Sequence, residues 1–189
     1  MQAAVAAGLR GGFRLGRGDA SGLGLIDATP EGALRSFWAA AICLPAFLAL
    51  RLLSWSTTGG PAGGGVARPL AAELIGYAAA WAGFALASRP VAEVFGRRNR
   101  WPQFLAAWNY ANVVQYLVLL ALTVPTALGL PGWLANGLGL AAVGYALWLE
   151  WFVARAALQL GGGQAVALVA LDLVIGLFVH GLVAQLSGG

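Results

Sequence analysis

Lysine is absent from this chain, and cysteine, histidine and methionine occur once each. Charged residues make up only 10% of its 189 positions, against about 25% in a typical soluble domain. Too few charges remain to coat a globule. One cysteine, Cys43, excludes an internal disulfide and a thiolate metal cluster, and one histidine, His180, excludes a histidine pair for a metal. No metal or cofactor is expected. Nor is there a glycine-rich phosphate loop with its lysine, a His-Glu-x-x-His pair, a nucleophile elbow or a Cys-x-x-Cys. Catalysis is therefore not expected.

What is present is apolar: 60% hydrophobic residues, 28 glycines and 8 tryptophans, with a mean hydropathy of +0.78. Glycine suits close helix contacts in lipid, and tryptophan suits the interface. All 11 basic residues are arginine and the net charge is +4. The arginines flank apolar runs, where they meet headgroups and set topology, so nucleic acid is not an expected partner.

Residues 1–28 are glycine-rich, carry Arg10, Arg14, Arg17, Asp19 and Asp27, and show no helical period that would bury a face. They read as a mobile cytoplasmic tail. Met1 to Gly12 lack the features of a secretory signal, so the first span is expected to be retained. The Thr29-Pro30-Glu31 sequence starts a helix, with a capping hydroxyl, a proline at the first position and an acid at the positive end of the dipole.

From there, residues 29–189 read as an all-α integral membrane bundle of five transmembrane helices. The expected spans are Ser36 to Trp55, Pro69 to Ser88, Phe104 to Val124, Trp133 to Arg155 and Gln164 to Leu186, each near the roughly 20 residues that a bilayer requires. Glycine-rich Ser56 to Arg68 reads as an external loop. Ser88-Arg89-Pro90 is expected to break the second helix, leaving Val91 to Gly96 as a short interfacial turn. Between Trp101 and Leu149 there is no charge at all, enough for two spans with a turn around Thr123-Val124-Pro125 and Leu130-Pro131-Gly132. Gly161-Gly162-Gly163 closes the last connection.

Arginine placement sets the orientation. The tail, the second connection and the end of span four hold Arg10, Arg14, Arg17, Arg35, Arg89, Arg97, Arg98, Arg100 and Arg155, whereas the opposite side has Arg51 and Arg68. The positive-inside rule then predicts a bacterial inner membrane protein with its N-terminus cytoplasmic and its C-terminus periplasmic. Arg97, Arg98 and Arg100 beside Trp101 would also hold anionic headgroups.

An ionisable group inside the hydrocarbon needs a partner or a purpose. At 1.5 Å per residue, Asp172 lies about 12 Å into span five, Asn109, Asn112 and Gln115 about 7, 12 and 16 Å into span three, and Glu150 about 7 Å into span four. These five residues are expected to form one polar layer, with Asn109, Asn112 and Tyr116 on a shared helix face. Such a layer either binds helices to one another by hydrogen bonds or orients a guest beside a carboxylate that changes charge. Glu73 is expected to pair with Arg68 or Arg51, while His180 lies too far along its helix to touch Asp172. Gly76 with Ala80, Ala79 with Gly83, and Gly137 with Ala141 have the spacing of close helix contacts.

Arg89-Pro90 through Arg97-Arg98, Trp108-Asn109-Tyr110, the run from Glu150 to Arg155, and Asp172 together resemble a family of uncharacterised alphaproteobacterial inner-membrane proteins over about residues 34–186. That resemblance implies the five-span fold and no activity. The layout also resembles the Yip family of membrane-trafficking proteins in topology, without the Asp-Leu-Tyr-Gly-Pro type motif of its eukaryotic members, so no residue role carries over. The functional expectation is a non-enzymatic accessory or scaffolding subunit that binds membrane lipids and other transmembrane proteins. The alternative is a small transporter or permeation subunit built on the Asp172 layer.

Overall fold

The computed structural model describes residues 2–60, 65–127 and 129–188. Among them, the regular elements are helices α1 (Gln2–Leu15), α2 (Pro30–Ser36), α3 (Trp38–Thr58), α4 (Ala67–Val94), α5 (Trp101–Ala127), α6 (Gly132–Leu158) and α7 (Gly162–Gly188), with 3-10 turns at Ala20–Leu25 and Arg98–Arg100. Five stretches are long and apolar enough to cross a bilayer: Pro30–Ser56, Ala67–Val94, Arg98–Pro125, Gly132–Leu158 and Gly162–Ser187. In lipid, helices of this kind satisfy their own peptide groups.

α5 is the centre of the bundle and the most buried of the five. The core gathers at the end where α4 finishes, α5 begins, α6 finishes and α7 begins. Leu15, Phe84, Phe104, Leu149, Leu158 and Leu168 are fully buried there, and Phe84 stacks on Trp108 at 4.3 Å between ring centroids. α4 approaches α7 most closely: a Cβ at Gly76 would fall 2.4 Å from Val183 Cγ2, and one at Gly83 would fall 3.4 Å from Ile175 Cγ2. Those two positions of the expected small-residue pairs serve packing. Gly137 does not, for a Cβ there meets nothing within 4 Å.

The expected mobile tail is corrected. Residues 2–15 form a helix, and Gly8, Gly11, Gly12 and Leu15 are buried. The face it offers is made of glycine rather than of large apolar side chains, which is why hydrophobic periodicity misses it. Gly8 and Gly12 lie against Tyr110, so closely that a Cβ on Gly12 would fall 2.6 Å from the Tyr110 carbonyl oxygen. One turn on, Gly16 accepts a hydrogen bond from Tyr145 Oη at 2.8 Å. The spacing of four between Gly8, Gly12 and Gly16 was the available signal.

The helix start at Thr29 is as expected. Thr29 Oγ1 accepts from the Gly32 N–H at 3.0 Å, and Pro30 occupies the first turn. Asp27 folds back over this cap, accepting from the Thr29 N–H at 3.0 Å and the Thr29 hydroxyl at 2.7 Å, and pairs with Arg35. The Thr29 donors, then the Arg35 guanidinium, hold the Asp27 carboxyl below its ordinary value of 3.8. A depressed folded-state value stabilises the protein above the ordinary carboxylate range and ceases to do so as the pH falls through the lowered value. Asp27→Asn is therefore expected to lower the thermal unfolding temperature at neutral pH. The gap to the native protein should close in acid, and a gap independent of pH in detergent melts would contradict this.

Two breaks fall elsewhere than expected. α4 runs through Ser88-Arg89-Pro90 to Val94, because Leu86, whose carbonyl loses its donor to the proline, lies on an exposed side where the bend is tolerated. α5 likewise passes through Pro125 to Ala127, and Gly129 takes a left-handed φ of 86° ahead of α6. The tight connection after α6 hinges on Gln159, which takes a left-handed φ of 52°.

Candidate functional site

A partly open cavity of about 280 Å³ lies between α3, α4, α5, α6 and α7. Four of the five expected layer residues line it: Asn112 and Gln115 from α5, Glu150 from α6 and Asp172 from α7. Antiparallel neighbours account for the meeting. α6 descends as α7 rises, so residues nearly equidistant from their shared turn come level, and α5 faces both.

The Glu150 and Asp172 carboxyls line the cavity as neighbours, close enough to act on one another's charge. Two carboxylates offer only acceptors, so they can bond to each other only when at least one carries a proton. Gln115 Nε2 donates to Glu150 Oε1 at 3.4 Å, and Asn112 Nδ2 donates to the Trp108 carbonyl at 3.1 Å. Ion pairs among the described residues join Asp27 with Arg35, Arg51 with Glu73, and Glu93 with Arg98, so none reaches Glu150 or Asp172.

Asn109 is not part of this group. It is fully buried and donates from Nδ2 to Ser36 Oγ at 2.6 Å, joining α5 to α2. Three residues on an α-helix turn the side chain by about 300°, and that offset is enough to send Asn109 to α2 while Asn112 faces the cavity. Its Oδ1 is buried with no partner among the described residues.

At the other end of the cavity, Arg51 Nε meets Glu73 Oε2 at 2.9 Å. Of the two partners expected for Glu73, Arg51 is the one that pairs; Arg68 Nε donates to the Leu186 carbonyl at 2.9 Å. His180 lines this end too, on the same helix as Asp172. Sequence reasoning missed the aromatic wall between the two ends. Phe47, Tyr77, Trp81, Trp108 and Tyr116 line the cavity and touch in succession: Phe47 and Tyr77 at 4.6 Å, Tyr77 and Tyr116 at 6.3 Å, Trp81 and Trp108 at 5.3 Å. Tyr77 is pinned by its hydroxyl, which donates to the Ala40 carbonyl at 2.7 Å. Trp108 has a buried indole Nε1 with no partner among the described residues.

The expected headgroup cluster is largely engaged within the chain. Arg98 pairs with Glu93 at 2.9 Å, Arg97 donates to the Gln159 carbonyl at 3.4 Å, and Trp101 Nε1 donates to Ser88 Oγ at 3.1 Å. Arg89, expected from sequence only at a helix break and as a topology charge, lies over the Trp101 ring at 5.7 Å. Arg100 makes no ion pair among the described residues. The Arg97 bond ties the α4–α5 connection to the α6–α7 connection, and the others brace the α4–α5 connection itself.

Fold and cavity together define an all-α, multi-pass membrane protein with a polar chamber inside its bundle. No family model, curated protein or solved structure matches the chain.

Proposed function

We propose that this protein is a small, non-enzymatic transporter or permeation subunit that binds a polar solute at the Glu150–Asp172 pair. The observation that carries this reading is a cavity within the spans lined by two carboxyls that have no cationic partner among the described residues. Adhesion between helices needs no cavity, and a buried charge is costly unless it serves a guest or a proton. The orientation follows the arginines: the end with Arg89, Arg97, Arg98, Arg100 and Arg155 faces the cytoplasm of a bacterial inner membrane, and the C-terminus faces the periplasm.

A second reading, an accessory or scaffolding subunit that binds lipid or other transmembrane helices, draws on a different surface. Gly137, Gly139 and Gly144 of α6 have no neighbour within 4 Å of an added Cβ, and Trp133 and Leu140 beside them are exposed.

One experiment separates the two. Purified protein is melted in mild detergent against a panel of small polar solutes, with Glu150→Gln and Asp172→Asn alongside. A solute at a hundred times its Kd is expected to stabilise the native protein by about 2.7 kcal/mol and to lose that effect in both variants. The same solute should then enter sealed proteoliposomes through the native protein alone. If no solute stabilises it, and both variants still co-purify with a stoichiometric membrane partner, the scaffold reading replaces this one.

A further inference from the structure

We infer that the cavity takes a small organic ammonium ion bearing a hydroxyl group, in competition with a proton. This rests on the solute-binding reading above and names its ligand class.

Charge comes first. Arg51 is engaged with Glu73 at 2.9 Å, so that end of the cavity is neutral. The carboxyl pair at the other end has no cationic partner among the described residues; with one proton between its two acids it carries one uncompensated negative charge. One monovalent cation balances it. An anion or a dication would leave net charge in a low-dielectric wall.

Shape and surface come second. Between the charged ends, the wall is aromatic, made of Phe47, Tyr77, Trp81, Trp108 and Tyr116. Ring faces attract alkylated ammonium groups, which shed water readily, and such walls are the usual cage for quaternary nitrogen. A bare metal ion would ask instead for a shell of oxygens, which this wall does not offer.

The hydroxyl comes third. Trp108 is 6% exposed, lines the cavity, and has an indole N–H without an acceptor among the described residues. A buried unpaired donor costs about 1–3 kcal/mol, and an acceptor oxygen on the guest removes that cost. The Gln115 amide, already bonded to Glu150, fixes the carboxyl pair in place.

A second proton on the pair abolishes its charge and therefore the site for the cation. Proton and guest exclude one another, and the displaced proton passes to water. The other titratable groups facing the pair are Arg51 from α3, Glu73 and Tyr77 from α4, Tyr116 from α5, and His180 from α7. Of these, His180 is an imidazole, the side-chain type most used as a proton acceptor, and it needs its own control.

Choline serves as the probe, titrated calorimetrically into the full-length protein in lipid nanodiscs. Its neutral carbon isostere 3,3-dimethyl-1-butanol and the hydroxyl-free tetramethylammonium ion are titrated beside it. Choline is expected to bind and the neutral alcohol not to. Glu150→Gln combined with Asp172→Asn should weaken choline by about thirtyfold or more, as loss of a buried counter-charge does; either substitution alone leaves one carboxylate in place. Circular dichroism confirms that the double variant remains folded. Choline affinity should fall as the pH is lowered, by up to about tenfold per unit for exchange of one proton, and His180→Gln should keep that slope. Trp108→Phe should weaken choline more than tetramethylammonium, since both lose the indole face and only choline loses the N–H donor.

Equal binding of the neutral alcohol overturns the cation assignment while leaving the solute-binding function standing. So does silence toward choline when other solutes of the panel bind. A pH slope lost in His180→Gln overturns the proton's place on the carboxyl pair. Equal weakening of choline and tetramethylammonium by Trp108→Phe overturns the role given to the hydroxyl.

Discussion

Arg51→Met is expected to cost about 3–5 kcal/mol of stability, the usual penalty for stranding a buried charge. Glu73 is 7% exposed and its carboxylate has the Arg51 guanidinium at 2.9 Å, so removal of the arginine leaves an acid in a wall of aromatic and aliphatic groups. The loss comes from that stranded acid more than from the missing bond. Removing both charges, as Arg51→Met with Glu73→Leu, should recover most of the stability, since an apolar pair of similar volume is often as good as a buried ion pair. The coupling between the two sites is read from a double-mutant cycle on denaturant unfolding in detergent. A single variant as stable as the native protein would show that Glu73 finds another partner.

The second large effect concerns α1. Gly12→Val places a branched side chain where the Cβ alone would fall 2.6 Å from a backbone oxygen of Tyr110. Backbone cannot swing aside as the end of a side chain can, and overpacking of this kind costs about 1–3 kcal/mol or more. Helices shorter than about 12–15 residues are marginal when isolated, and α1 has 14. The expected outcome is detachment and unfolding of α1 as a unit. Amide protection over residues 2–15 should vanish and trypsin should cut at Arg10, Arg14 and Arg17, while the five spans keep their helicity. Unchanged hydrogen exchange over α1 would contradict its docking through glycine.

The spans were legible because lipid imposes a simple rule: a run of apolar residues long enough to cross must be a helix, whatever packs beside it. Their ends were less legible. Pro90 and Pro125 read as stops, yet each sits within a helix, since a helix in a bundle loses one hydrogen bond to proline and keeps the packing of its other turns. α1 was illegible for the opposite reason. Glycine weakens a helix locally, so Gly8, Gly11, Gly12 and Gly16 look like a coil until Tyr110, Ile26 and Val114 supply the surfaces that they fit.

Within the site, depth along each helix was enough to bring Asn112, Gln115, Glu150 and Asp172 together. It failed for Asn109, whose direction depends on α2 rather than on depth. The aromatic wall was hidden too. Phe47, Tyr77, Trp81, Trp108 and Tyr116 come from three helices, and in a chain with 8 tryptophans and 8 phenylalanines no spacing marks these five as neighbours.

The close approach of α4 to α7 at Gly76 and Val183 bears on how the protein is made. α4 leaves the ribosome long before α7, so its glycine face waits in the translocon or in lipid without the helix it was shaped for. Meanwhile Arg51, already synthesised, pairs with Glu73. A nascent chain stalled after α6 would present an unfinished seam to quality-control proteases, and delivery of the last span closes it.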